Sequence, residues 1–168
     1  MSDPLRELAR ALANSGAHDA AVDWLRTVPG LPPIMQTLHL ASIAVVLGTI
    51  VVLDLRVLGL AVPSQSPAEM SRRLAPWTWS ALPVLLVSGA IFVLARPQRY
   101  FTNPMFGIKF ALLVPALALT AALYSVTRRT DARPAIARVL AVTSLLAWIG
   151  VVLAGRWIAY VDYLFPPE

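Results

Sequence analysis

The sequence has no cysteine, only two histidines, and charge on only 14% of its 168 residues. Each scarcity closes a class of function. Without cysteine there are no disulfides, no thiolate nucleophile and no sulfur-based metal site. The histidines are His18, in the N-terminal tail, and His39, so one chain cannot supply bis-histidine haem ligation inside an apolar bundle. There is no G-x-S-x-G, no H-E-x-x-H and no glycine-rich phosphate loop. No internal repeat is evident. The net charge of +5 includes no Lys/Arg cluster with interleaved aromatics, which points to lipid headgroups and topology rather than to nucleic acid.

Apolar residues are abundant. They make up 58% of the chain and its mean hydropathy is +0.69, whereas soluble domains are about 45–50% apolar and about 25% charged. The first thirty residues hold no continuous apolar run and include Asp3, Glu7, Asp19 and Asp23, so no cleavable signal peptide is expected. The first apolar segment is then a retained span.

Four apolar segments follow, separated by Pro- and Arg-bearing connectors. They cover about residues 34–60, 77–94, 106–126 and 136–160, and roughly 20 helical residues cross a hydrocarbon core. Pro32-Pro33, Pro76 and Pro134 stand where a helix can begin, and kinks are expected at Pro83 and Pro115 inside spans two and three. The fold class expected is all-α: a four-helix transmembrane domain over residues 31–165, preceded by residues 1–30 on the membrane surface. Leu5, Leu8, Ala9 and Leu12 share one helical face there, and so do Ala21, Trp24, Leu25 and Val28. A cap packed on the bundle is the alternative for this segment. Close helix packing is expected at Ala41, Ala44 and Gly48, at Ser88-Gly89-Ala90, and at Ala147, Gly150 and Ala154.

Orientation rests on density of positive charge, because each side carries seven basic residues. Arg128, Arg129 and Arg133 crowd one very short loop, which places it in the cytoplasm. Both termini are then outside, periplasmic if the protein sits in a bacterial inner membrane.

Ionisable groups at membrane depth are costly and often functional. Antiparallel packing gathers Met35, Gln36 and His39 of span one with Asn103, Met105 and Lys109 of span three and Arg156, Trp157, Tyr160 and Asp162 of span four. The expected result is a shallow pocket that binds a ligand, cofactor or partner, with His39, Gln36, Asn103, Lys109, Arg156 and Tyr160 as its candidate residues. Each has a simpler use. Arg156 and Lys109 can snorkel to phosphates, Trp157, Tyr160 and Tyr163 fit an aromatic belt, and Met35 and Met105 fill apolar gaps. His39 needs partners for its ring nitrogens, from Gln36 or Tyr160 if the role is structural. Alternatively it ligates haem b or copper, the latter with Met35 one turn away and Met105 as a third ligand, or it handles protons.

Asp54 and Arg56 stand at the other end of span one, Asp54 about 22 Å from His39 along the axis. Residues i and i+2 point to different sides of a helix, so the two do not pair directly. Asp54 is expected to meet Arg72, Arg73 or an indole of Trp77 or Trp79, making with Arg56 a structural charge staple; a proton or ion relay is the minor reading. The span middles hold only Ser, Thr and Gly as polar elements, which argues against a channel or transporter.

The segments "TLHLASIAVVLGTIVVLDLRVLGL", "LAPWTWSALPVLLVSGAIFVLA", "NPMFGIKFALL" and "WIGVVLAGRWIAY" resemble an uncharacterised bacterial four-span membrane family over about residues 30 to 160. More loosely, the arrangement is similar to copper-resistance D-like proteins and cytochrome b561-like bundles. The first resemblance implies a histidine near the end of span three, where this chain reads Leu123-Tyr124-Ser125. The second implies paired histidines, which this chain lacks. The function expected is that of a non-enzymatic membrane subunit with a partner protein or a second copy of itself. The alternative is a redox or copper/haem protein using His39.

Overall fold

The computed structural model describes residues 4–128 and 134–160. Arg129, Arg133, Asp162 and Tyr163, which figured in the expectations above, lie outside them. Helices α1 (Pro4–Ala13) and α2 (Gly16–Thr27) precede α3 (Leu31–Val57), α4 (Pro67–Ala95), α5 (Pro97–Phe101), α6 (Pro104–Thr127) and α7 (Pro134–Trp157). A 3₁₀ turn, Ile158–Tyr160, extends α7. Among the described residues there is no strand, and α3, α4, α6 and α7 are each long and apolar enough to cross a bilayer. The protein is an all-α, multi-pass membrane bundle.

Local chemistry sets the helix ends. Gly30 takes a left-handed conformation (φ 78°) to turn the chain into α3. At the far end Gly59 (φ 81°) closes a complete Schellman turn: Leu60 N–H donates to the Leu55 carbonyl at 2.9 Å and Gly59 N–H to that of Arg56 at 3.1 Å. Span one therefore stops at Val57, short of the Leu60 suggested by hydropathy. The second span starts earlier than expected. Ser66 caps α4 by accepting from Glu69 N–H at 3.1 Å, Pro67 occupies the first turn, and Glu69 pairs with Arg73 at 2.7 Å. Pro76 is thus an interior residue, and α4 runs through Pro76 and Pro83, as α6 runs through Pro115, in single helices.

The main helix contacts are α3 with α4 and α6 with α7, two antiparallel hairpins that meet along α3–α7 and, less closely, α4–α6. One end of the bundle carries His39 and the α4–α6 connector, and the other carries Asp54. Val46, Ile50, Leu82, Ala116, Trp148 and Val151 fill the middle. Leu53, Met70, Ala75, Leu123, Tyr124, Ala137 and Ala141 fill the Asp54 end. Val87, Val114, Val139 and Leu146 face outward, as lipid allows.

Two expectations about packing divide. In α7 the small-residue stripe works inward: a Cβ on Gly150 would lie 3.0 Å from Leu112 Cδ1. In α3 the expected stripe is on the wrong face. Ala41, Ala44 and Gly48 are exposed, and α3 buries Ser42, Val46, Ile50 and Leu53 instead. The small α7 face meets Leu112 of α6, while toward α3 the helix offers Trp148 and Val151, which pack with Val46 and Ile50.

The N-terminal helices contact the bundle at the His39 end. α1 packs on α5, α2 on α4, and His18 Nδ1 lies 2.8 Å from the Leu94 carbonyl oxygen. Ala9 is buried beneath α1, while Leu5, Leu8 and Trp24 stay exposed. The short α5, not anticipated from sequence, is the platform for α1.

Gly150→Leu is expected to destabilise the bundle by about 1–3 kcal/mol, as overpacked cores are, whereas Gly48→Leu, with nothing within 4 Å of its Cβ position, leaves stability unchanged. Thermal unfolding in mild detergent compares them.

Candidate functional site

His39 enters the site because α3 begins at Leu31 and carries it about two turns in, on the side facing α4. Its Nδ1 lies 2.9 Å from Ser88 Oγ. Ser88 also donates to the Val84 carbonyl at 2.6 Å. A serine has one hydrogen, and the shorter bond takes it, so the Ser88 lone pair accepts from Nδ1–H. That fixes the tautomer and leaves Nε2 with a bare lone pair. The ring meets Phe92 edge-on at 6.2 Å and 88°. A Cβ on Gly89 would stand 3.2 Å from His39 Cε1, so the glycine makes the room the imidazole occupies. The partners expected for His39, Gln36 and Tyr160, are replaced by Ser88, from a helix that contributed none of the candidate site residues.

Lys109, the sole lysine of the chain, approaches from α6, the helix diagonal to α3. Its stem lies against α7: a Cβ on Gly155 would stand 3.6 Å from Lys109 Cε and 3.8 Å from Nζ. The ammonium is close enough to act electrostatically on the His39 ring. Among the described residues no carboxylate pairs with it and no hydrogen-bond acceptor reaches it. The result is two nitrogen groups held by opposite hairpins at one end of the bundle, outside both apolar clusters.

The remaining expected members do other things. Asn103 is buried and fully used: Oδ1 caps α6 by accepting from Met105 N–H at 2.9 Å, and Nδ2 donates to the Ile158 carbonyl at 3.0 Å. It ties the start of α6 to the end of α7 and has little left for a ligand. Arg156 and Tyr160 are exposed and engage each other, with a 2.8 Å hydrogen bond and the guanidinium 4.9 Å from the ring centre. Gln36 is exposed at the rim, and Met35 and Met105 are buried.

The charge staple at the opposite end is not built as expected. Asp54 is fully buried, and neither carboxyl oxygen has a hydrogen-bond partner among the described residues. Arg73 is held by Glu69, Arg56 donates to the Gln65 carbonyl, and Trp77 points outward, 64% exposed. Arg72 is exposed too. Asp54 faces the bundle interior, and long cations at helix ends turn to solvent and headgroups, so the two do not meet.

Ser88→Ala and Gly89→Ala are each expected to move the His39 ring resonances in spectra of histidine-labelled protein, and Tyr160→Phe to leave them in place. Loss of the Ser88 bond should cost roughly 1 kcal/mol of stability.

No curated protein and no solved structure matches the chain. A family model does, over residues 27–161, from the end of α2 through all four spans. The chain belongs to the family of unknown function DUF6644.

Proposed function

We propose that this protein is a non-enzymatic, membrane-integral binding subunit whose pocket at the His39 end takes an anionic group. The observation that carries this is the partly buried Lys109 ammonium, which acts electrostatically on the His39 imidazole, with no carboxylate among the described residues to neutralise the lysine. A cation at membrane depth calls for an anion, and a headgroup phosphate or carboxylate supplies one. Nε2 of His39, once protonated, adds a donor to the same anion. The crowded arginines of the α6–α7 loop favour an orientation in which this pocket and both termini are periplasmic, in a bacterial inner membrane.

A second reading, haem b or copper on His39, has one observation in its favour: Nδ1 is engaged by Ser88, as a ligating histidine's second nitrogen usually is. The nearby ammonium opposes a metal cation, and no second histidine lies in the spans.

Titration with a short-chain phosphatidylglycerol is expected to shift the His39 resonances saturably, and phosphatidylcholine to shift them at least about tenfold less; Lys109→Gln should abolish the difference. A Soret band, or stoichiometric copper that disappears in His39→Ala, would establish the second reading instead. The chain has no cysteine, so Ser64→Cys in the α3–α4 loop gives a unique topology reporter. It should resist an impermeant thiol reagent added to intact cells; labelling from outside inverts the orientation.

A further inference from the structure

Asp54 is the one buried carboxylic acid among the described residues, with none of its surface exposed. Leu53, Met70, Ala75, Leu123, Ala137 and Ala141 form the apolar cluster around this end of the bundle. The buried side-chain oxygens left without a hydrogen-bond partner among the described residues are its Oδ1 and Oδ2 and the Ser144 Oγ of α7. The Ser144 hydroxyl is also the polar side chain that acts on the carboxyl, although it does not reach hydrogen-bond geometry. Two unpartnered groups on adjacent helices, facing each other in an apolar cluster, are unusual, because buried polar atoms are almost always bonded.

Among the described residues no cation pairs with the carboxyl. Arg56 on its own helix bonds to the Gln65 carbonyl. On α4, Arg73 pairs with Glu69, and Arg72 is exposed. Arg138 of α7 is exposed, and Arg128, at the end of α6, acts on Tyr124 rather than on Asp54. Among the described residues Tyr124 is the titratable group on which Asp54 acts, and its hydroxyl is bonded to Thr78 at 2.8 Å. An unpaired carboxylate here would carry a large desolvation penalty, which proteins normally avoid by neutralising the group.

We propose that Asp54 and Ser144 form a binding site for a single proton, with Asp54 as a neutral acid that donates its hydrogen to Ser144 Oγ. One negative charge calls for one positive charge, which excludes a divalent ion. A bare metal cation also needs several oxygens around it, whereas a proton needs no room in a site closed to solvent. The transfer is simple: the O–H bond of the acid breaks, the proton passes to a water admitted between α3 and α7, and the electron pair stays on the carboxylate. Among the described residues no other side-chain hydrogen bond joins α3 to α7, so loss of the proton removes that bond, leaves an unpaired carboxylate in the seam and drives it apart. The site lies at the opposite end from His39 and does not depend on the function proposed above.

Infrared spectroscopy of the full chain in mild detergent tests it. The expected result is a carbonyl-stretch band of a protonated carboxylic acid at neutral pH. The band should move in protein made with ¹³C-aspartate, vanish in Asp54→Asn and shift in Ser144→Ala. It should be unchanged when sodium replaces choline at constant pH and ionic strength. The isotope shift assigns the band even if a variant does not fold. Absence of the band from mildly acidic to alkaline pH overturns the proposal. Its removal by sodium at fixed pH also overturns it, in favour of a metal-cation site. A band unmoved in folded Ser144→Ala takes the serine out of the site and overturns the two-residue assignment.

Discussion

A hydroxyl, indole or imidazole inside a bundle surrounded by hydrocarbon has only its protein neighbours to bond to, and most of this structure follows from how those bonds are shared out. Thr49 and His39 of α3 reach Thr78 and Ser88 of α4 at 2.7 and 2.9 Å. Thr78 continues to the Tyr124 hydroxyl of α6 at 2.8 Å. Trp148 of α7 donates to Thr120 of α6 at 2.9 Å, and Asn103 closes the far end of that hairpin on the Ile158 carbonyl. Each such bond contributes only about 0.6 kcal/mol on average in a membrane. Their effect is to fix register: a helix rotated by one residue would leave the hydroxyls on the carbonyls of their own helix and strip the Trp148 indole, the His39 ring and the Tyr124 hydroxyl of these partners.

The seam between α3 and α7 is different. It is packed by Val46, Ile50, Trp148 and Val151 in the middle, and at the Asp54 end it holds the unpartnered carboxyl and the unpartnered Ser144 hydroxyl. The hairpins are joined by hydrogen bonds on the α4–α6 side, through Thr78 and Tyr124, and by apolar packing alone along the described α3–α7 seam. A change in the neutrality of Asp54 would act on that second seam.

Hydropathy made the four spans and the all-α class legible, because a run of about 20 apolar residues has few other uses. The end signals are legible as well: Ser66-Pro67-Ala68-Glu69 is a capping-box pattern, and it starts α4 well before Pro76. Facing was not legible. In lipid the outward surface is as apolar as the inward one, so Ala41, Ala44 and Gly48 carry no mark of pointing away from the bundle. For the same reason the partner of His39 could not be read. Ser88 is one of several small residues in α4, and only the three-dimensional crossing sets it against the imidazole. His39 and Lys109 were recognisable as depth-anomalous polar residues, and the structure keeps them at one end of the bundle, where the lysine acts electrostatically on the imidazole. Asn103, Arg156 and Tyr160 share their level but are occupied with capping and with each other.

The reading of the His39 end as an anion pocket rests on two nitrogen groups from diagonal helices sharing one ligand. Nitrogen–phosphorus dipolar couplings, measured by solid-state magnetic resonance in phosphatidylglycerol bilayers, test that sharing most directly. The chain's single lysine and the single histidine of its spans make the signals simple to assign. The account predicts phosphorus contacts at both Lys109 Nζ and His39 Nε2. Contact at Lys109 alone would mean an ordinary snorkelling lysine, and contact at neither would leave no anion in the pocket; either result contradicts it.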